Sequence, residues 1–172
     1  MWRKVLLLSV VVLQFFVFSS AEGADHDLLK GLKEVEIVIE PLPEAVKQII
    51  LTKDEIRRDV KLKLRSTGIK ILAENSTIAT QGPSALSVKV TLKEANEDTS
   101  VLYFGNIELF LKEFAILERG KIRGPVVTWI KGSSFLAGQF NAKEGCRKTI
   151  MKLLDTFLND YLKANPESAQ KQ

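Results

Sequence analysis

The chain has 172 residues, of which 45% are hydrophobic, and its 25 basic and 21 acidic side chains leave a formal net charge of +4. A lone cysteine excludes an intrachain disulfide, and a lone histidine excludes the usual catalytic triads and most histidine-based metal sites. Without Arg3 and Lys4, the only charged residues among the first 21, the net charge falls to +2, which argues against nucleic acid as a bulk electrostatic partner.

Residues 1–21 have the pattern of a secretory signal peptide. A basic start leads into an apolar run from Val5 to Phe18, and small residues follow up to Ala21. The run is shorter than the roughly 20 residues that a membrane-spanning helix needs, so we expect cleavage after Ala21, or alternatively after Gly23, rather than an uncleaved anchor. The sequence therefore predicts an exported protein, in the periplasm or, as the alternative, secreted, with no transmembrane segment after cleavage.

Residues 22–33 are polar and predict a leader into a single domain at residues 34–165, and residues 166–172 predict a disordered tail. His26 lies in the leader beside two aspartates, where a solvated side chain is favoured over a metal ligand. No catalytic residue, metal site or cofactor is predicted.

The first half of the domain predicts a strand followed by a helix. Apolar and acidic residues alternate over residues 34–40, which is typical of a strand. A short helical piece at residues 44–51 precedes a capping box formed by Thr52 and Glu55, which begins a helix of about 14 residues that Gly68 ends. Strand alternation then resumes at once, in an order that indicates a crossover unit or a connection to a sheet edge.

Four strands complete the predicted sheet, at residues 68–73, 86–94, 101–118 and 125–135. The strand at residues 86–94 is apolar on one face and polar on the other, so helices are expected to cover one side of the sheet only. Gly105 is expected to mark a bulge or bend, and residues 119–124 predict a basic hairpin connection. Residues 75–77 match the N-glycosylation acceptor pattern.

The last predicted element is an amphipathic helix from Asn141 to Asn165. Its apolar residues recur at three- and four-residue steps along one stripe: Cys146, Ile150, Leu153, Leu154, Phe157 and Tyr161. Asn141 is expected to be the N-cap, with Glu144 completing a capping-box-like start, and Pro166 to stop the helix. The order β-α-β-β-β-β-α predicts an α+β two-layer sandwich, with a mixed, mostly antiparallel five-stranded sheet and two helices on one face.

Two surfaces are candidates for partner binding, and the first is the open face of the sheet. The alternation predicts that Phe110 and Lys112 point outward, and that Trp129 and Lys131 join them across the hairpin as an aromatic patch flanked by lysines. The alternative places Trp129 in the core and Ile130 outside, because the sequence alone does not set the register.

The second candidate surface is basic. Arg119, Lys121 and Arg123 at the predicted hairpin tip are suited to anionic lipid headgroups or cell-wall polymers. The first helix carries a similar set, namely Arg57, Arg58, Lys61 and Arg65, interleaved with Asp54, Glu55 and Asp59. That interleaving favours a solvated helix face, so the hairpin tip is the preferred candidate.

Four stretches carry a resemblance to known proteins: DVKLKLRSTGIKIL (59–72), LSVKVTL (86–92), VVTWIKG (126–132) and LLDTFLNDYLKANP (153–166). With the signal peptide, they resemble a group of short exported bacterial proteins of unknown function. The arrangement is also similar to the amino-terminal domain of the periplasmic protein TolB and to related envelope-assembly domains. The resemblance implies a periplasmic interaction domain and carries over no catalytic residue.

The leading hypothesis is therefore an exported, non-enzymatic domain that binds another envelope component, a protein or an anionic polymer, through the open sheet face or an edge strand. An alternative is a carrier of a small apolar ligand, which needs an apolar cavity of several hundred Å³ between the helices and the sheet. A carboxylate-based hydrolase is a third hypothesis, and it needs two carboxylates that meet in one cleft.

Overall fold

The computed structural model describes residues 27–65, 67–73, 84–97 and 100–167. The predicted signal peptide, His26, the acceptor pattern at residues 75–77 and the tail from residue 168 onward lie outside the described residues.

Five strands and three helices lie within the described residues. The strands are β1 (Glu34–Ile39), β2 (Lys70–Ile71), β3 (Ala85–Glu97), β4 (Ser100–Leu117) and β5 (Ile122–Gly138), and the helices are α1 (Glu44–Gln48), α2 (Lys53–Arg65) and α3 (Ala142–Ala164). Two 3₁₀ turns, Asp27–Leu29 and Gln139–Asn141, precede β1 and α3. The predicted α+β class and element order are confirmed.

The sheet is open, and its strands lie in the order β2-β1-β3-β4-β5. β1 runs parallel to β2 and to β3, whereas β3, β4 and β5 pair antiparallel. The segment from β1 through α2 to β2 is therefore both a crossover unit and a connection to a sheet edge. The long antiparallel strands form the other half of the sheet and end at β5, the second edge.

The local signals around α2 are confirmed. The backbone N–H of Thr52 donates to Oε2 of Glu55 at 3.0 Å, and the N–H of Glu55 donates to Oγ1 of Thr52 at 3.2 Å, which is a reciprocal capping box. Gly68 has φ +77°, the left-handed conformation that lets the chain leave the helix and enter β2.

The core lies between one face of the sheet and the apolar faces of α2 and α3. Each predicted residue of the α3 stripe is buried, including Cys146. Burial raises the pKa of the Cys146 thiol to about 12, so this cysteine is a protonated packing residue at neutral pH. Within the described ranges, no helix is long and apolar enough to cross a membrane.

The start of α3 differs from the prediction. Asn141 has φ −108° and ψ −5°, and its side chain makes no capping hydrogen bond. The reason is that residues 139–141 already form a 3₁₀ turn that runs directly into α3, so Asn141 lacks the extended backbone that an N-cap requires.

The sequence predicts that Gly105 marks a bulge or a bend. No bulge occurs there, and the residue marks a close approach to an aromatic ring. It pairs with Phe135 across β4 and β5, and a Cβ atom at this position would lie 2.2 Å from the Phe135 ring. A Cβ atom at Gly145 would also lie only 2.9 Å from the same ring. Two glycines therefore make room for one aromatic ring between β4 and α3, while the irregularity in β4–β5 pairing occurs further on, between Leu111 and Lys112.

The end of the predicted leader is packed against the domain. Leu29 and Leu32 are buried in the core. The side chain of Asn165, just after α3, accepts a hydrogen bond from Gly31 N at 2.7 Å and donates to the carbonyl oxygens of Leu29 and Tyr161 at 2.9 and 3.0 Å. One amide side chain thus ties the segment before β1 to the end of the last helix.

Candidate partner-binding surface

Trp129 lies in the core, so the prediction that it shares the open face with Phe110 is wrong. Its side chain is 1% exposed. The ring packs edge-on against Phe157 of α3, with centroids 5.1 Å apart and planes at 75°, and the indole N–H donates to Oδ2 of Asp160 at 3.0 Å. The alternative register, with Ile130 outside, is the one that the structure has.

A β-bulge explains the error. Trp129 pairs with Leu111, but Val127 pairs with Lys112, so Thr128 is an extra residue on β5. The strict alternation assumed from the sequence would put Val127 and Trp129 on the same face. With the extra residue, Val127 faces the open side and Trp129 faces α3.

Lys131 shares the helix side of the sheet with Trp129. It pairs with Leu109, a core residue, and is half-buried. The prediction that Lys131 flanks a patch on the open face is therefore wrong, for the same reason of register.

Phe110 and Lys112 do point to the open face, as predicted, but Phe110 is only 8% exposed. The Lys112 ammonium lies 4.8 Å from the centroid of the Phe110 ring and donates to Oε1 of Glu40 at 3.1 Å. Beside it, Lys89 and Glu108 form an ion pair at 2.7 Å, which raises the pKa of Lys89. The centre of the open face is thus covered by the chain's own charged side chains.

One exposed apolar surface lies further along the β4–β5 hairpin, toward its turn, and Phe104 and Leu136 are exposed on the same face at the other end. Phe114 and Ile116 of β4, together with Val127 and Ile130 of β5, lie on the open face and are between 48% (Phe114) and 63% (Ile116) exposed. We call these four residues the hairpin patch. Sequence reasoning missed it because the assumed register paired Trp129 with Phe110, although the run of apolar residues at 114–117 already breaks the alternation.

The predicted basic residues lie beside this patch. Arg119 and Lys121 are exposed in the turn between β4 and β5, and Arg123 pairs with Ile116. The guanidinium carbon of Arg123 lies 5.8 Å from the centroid of the Phe114 ring. The structure therefore brings one predicted basic group together with the hairpin patch, in cation–π geometry.

The outer edge of β5 adjoins the patch. β5 is a 17-residue strand that pairs only with β4 among the described residues, whereas the opposite edge strand, β2, has two residues. A long edge with unpaired N–H and C=O groups is a template for a further strand. Pro125 in β5 lacks an N–H, which limits how far pairing extends along this edge.

The space between helices and sheet is filled. Trp129, Phe157, Ile107 and Leu154 are among the largest side chains there, and each is less than 2% exposed. Depressions of about 420–460 Å³ lie elsewhere, on the outer side of α2 and α3 and beside residues 28–34. In the part of the chain that the structure describes, no cluster of three or more His, Cys, Asp or Glu is placed to hold a metal ion.

Comparison with known proteins finds structural similarity at low sequence identity. No protein-family model matches the chain, and no curated protein matches it significantly. A minor lipoprotein from Acinetobacter baumannii is similar in structure, with 13% identity, coverage of 81% of this chain and 95% of the lipoprotein, and a TM-score of 0.34. A hypothetical protein from Chlamydia trachomatis is similar with 7% identity, coverage of 75% and 97%, and a TM-score of 0.44. Likenesses of this size carry no argument about function, and the resemblance to the TolB domain stays a prediction.

Proposed function

We propose that the chain is an exported, non-enzymatic domain that binds another protein of the cell envelope through the hairpin patch and the adjoining edge of β5. The signal-peptide pattern of residues 1–21 supports export, with the periplasm as the expected compartment. The single observation that carries the binding proposal is the hairpin patch: four large apolar side chains, about half exposed, on the sheet face opposite the described helices.

The chemistry of this surface suits an extended segment of a partner. Unpaired backbone groups of β5 supply hydrogen bonds to an added strand, and the apolar side chains supply contact area on one face of it. Each half-exposed side chain that becomes buried contributes on the order of 1 kcal/mol. Arg123 beside Phe114 favours a partner with an acidic or aromatic residue at that point.

Site-specific photo-crosslinking in cells that produce the full chain tests this proposal. A photoreactive residue at Ile116 or Ile130 is expected to trap one and the same protein. A photoreactive residue at Lys163, exposed at the end of α3 on the other side of the molecule, is the matched control and is expected to trap none of it. The proposal fails if the patch positions trap nothing, or if all three positions trap the same proteins equally.

A further inference from the structure

The two long helices are joined by ion pairs along their whole contact. Lys143 donates to Glu55 at 2.8 Å, and Arg147 makes two bonds to Asp59 at 2.8 and 3.1 Å. Lys63 pairs with Asp155 further along. The partners follow one another in the same chain direction, so α2 and α3 lie side by side and run parallel.

These contacts change the interpretation of the basic residues on α2. In the sequence, Glu55 and Asp59 interleave with the basic residues of that helix. In the structure, both carboxylates turn toward α3 and are neutralised there by Lys143 and Arg147. The hydrogen bond from Lys143, with smaller contributions from the capping box, lowers the pKa of Glu55 to about 2, so this carboxylate stays ionised and paired at neutral pH.

An excess of positive charge is left on the outer surface. α2 and α3 together contain eleven basic and six acidic residues. Within the described ranges, seven exposed basic side chains on these helices have no ion-pair partner: Lys53, Arg58, Lys61, Arg65, Lys148, Lys152 and Lys163. The outer surface of the two helices therefore carries an excess of positive charge, although Asp54 and Glu144 are also exposed on it.

The same surface is grooved. A depression of about 460 Å³ lies between the two helices. Its lining has three basic residues (Lys63, Arg147 and Lys148), two acidic residues (Asp59 and Glu144) and two apolar residues (Leu62 and Met151). A second depression of about 430 Å³ lies along α2 and is lined by Arg57, Arg58, Lys61 and Arg65 with Asp54. Both depressions share Leu62, which is 59% exposed.

We propose that this surface, formed by Arg58, Lys61, Leu62, Arg65 and Lys148 and here called the helix face, binds a linear anionic polymer of the envelope, a polysaccharide or polyol chain that carries phosphate or carboxylate groups. Two adjoining depressions accept a chain better than a point-like ion. Arg58 and Arg65 are separated by about 10 Å along the helix axis, a length over which such a chain presents more than one charge. Complementary charge supplies the attraction, which salt screens.

A lipid bilayer fits the helix face less well. A helix that binds at a membrane interface buries a continuous apolar stripe along its length. Here Leu62 is the one large apolar residue of α2 that is strongly exposed, because Ile56, Val60 and Leu64 are buried in the core. The helix face is also on the opposite side of the sheet from the hairpin patch, so a polymer and a protein partner do not compete for one surface.

Binding of fluorescein-labelled dextran sulfate to the full mature chain, measured by anisotropy at about 0.1 M salt, tests the proposal with a defined polyanion. The triple variant Arg58→Gln/Lys61→Gln/Arg65→Gln removes three charges without breaking an ion pair that the structure shows. We expect its Kd to rise at least tenfold. The matched control Arg119→Gln/Lys121→Gln/Arg123→Gln removes the same charge from the hairpin, and its Kd is expected to change less than threefold.

Labelled neutral dextran and phosphatidylglycerol vesicles complete the experiment. No binding of neutral dextran, and vesicle binding weaker than polymer binding, support the proposal. If both triple variants weaken binding of dextran sulfate equally, the attraction is non-specific and the proposal is wrong. The proposal is also wrong if the protein binds vesicles more tightly than dextran sulfate and the α2 variant loses this vesicle binding. Unchanged circular dichroism and melting temperature show that the variant is folded. The outcome of the polymer-binding experiment does not change which protein is trapped from Ile116 and Ile130. Each of the two proposals can therefore be contradicted while the other stands.

Discussion

The indole Nε1 of Trp129 donates a hydrogen bond to Oδ2 of Asp160 at 3.0 Å, across the interface between the sheet and α3. The same indole ring packs edge-on against Phe157, which lies one helical turn earlier. Trp129 is thus held by an apolar contact and by a polar one, both supplied by α3. It is a packing residue that fixes α3 on β5, and the surface available to partners lies on the other face of the hairpin.

Replacing Trp129 is expected to destabilise the fold strongly. Trp129→Ala removes a fully buried aromatic side chain, so the free energy of unfolding is expected to fall by about 3–5 kcal/mol. Urea denaturation followed by far-ultraviolet circular dichroism measures it. Trp129→Phe keeps a ring against Phe157 but leaves Asp160 without its donor, and a smaller loss of about 1–2 kcal/mol is expected. A loss below 1 kcal/mol for the alanine variant would place Trp129 outside the core.

Gly105→Ala is expected to disturb the packing of Phe135. The new methyl group would start 2.2 Å from the ring, which is itself held between β4 and α3, so the ring or the strand must shift. Overpacking of this kind costs about 1–3 kcal/mol in the free energy of unfolding. The double variant Gly105→Ala/Phe135→Leu is the control, because a smaller side chain at residue 135 relieves the clash. If Gly105→Ala has the same urea midpoint of unfolding as the wild type, residue 105 and the Phe135 ring are not in close contact in solution.

Much of the fold can be predicted from the sequence, because local signals and tertiary packing agree. The Thr52–Glu55 capping box, Gly68 and the apolar stripe of α3 each predict an element that the structure contains. They disagree at Asn141, where a 3₁₀ turn leads directly into α3 and the side chain makes no capping hydrogen bond.

The candidate site was harder to predict, because it depends on long-range register. One extra residue, Thr128, reverses which side chains of β5 face outward beyond the bulge, and no local pattern marks its position. The excess of positive charge on the helix face could not be predicted from the sequence either. Glu55 and Asp59 are close to Arg58 in the sequence. Only the position of α3 shows that they form ion pairs with Lys143 and Arg147.

The ion pair of Glu55 with Lys143 predicts a pH dependence of stability. The pKa of Glu55 is lowered from 4.5 to about 2 in the folded state, so its contribution is fully present above about pH 4.5 and is lost as the pH falls toward 2. Glu55→Gln keeps an acceptor for the Thr52 N–H and removes the charge. It is therefore expected to lower the free energy of unfolding by about 1 kcal/mol at pH 7, as for an exposed ion pair. Urea midpoints at pH 7 and pH 2.5 are expected to show the difference between variant and wild type shrinking at the lower pH. A difference that is constant with pH would contradict this.

Asn165→Ala is expected to loosen the segment before β1. The substitution removes the acceptor for Gly31 N and the donor to Leu29 O, at a cost of about 1–3 kcal/mol. Hydrogen exchange of the Gly31 amide is expected to quicken more than exchange in the middle of β3. Asn159→Ala, at an exposed position of α3, is the control and is expected to leave Gly31 unchanged. Equal exchange at Gly31 in the two variants would show that Asn165 does not hold this segment.

The central claim is that the hairpin patch, and not the covered centre of the open face, is where the domain meets a partner protein. Its most direct measurement is the yield of the crosslinked species trapped from Ile130 when Ile116 and Val127 are replaced by serine. Both residues are about half exposed, so stability is expected to stay within about 1 kcal/mol of the wild type. We predict at least a fivefold drop in yield for this variant, and no drop for Lys93→Ser/Lys163→Ser, whose replaced residues lie away from the hairpin. An unchanged yield in a folded Ile116→Ser/Val127→Ser protein would contradict the claim.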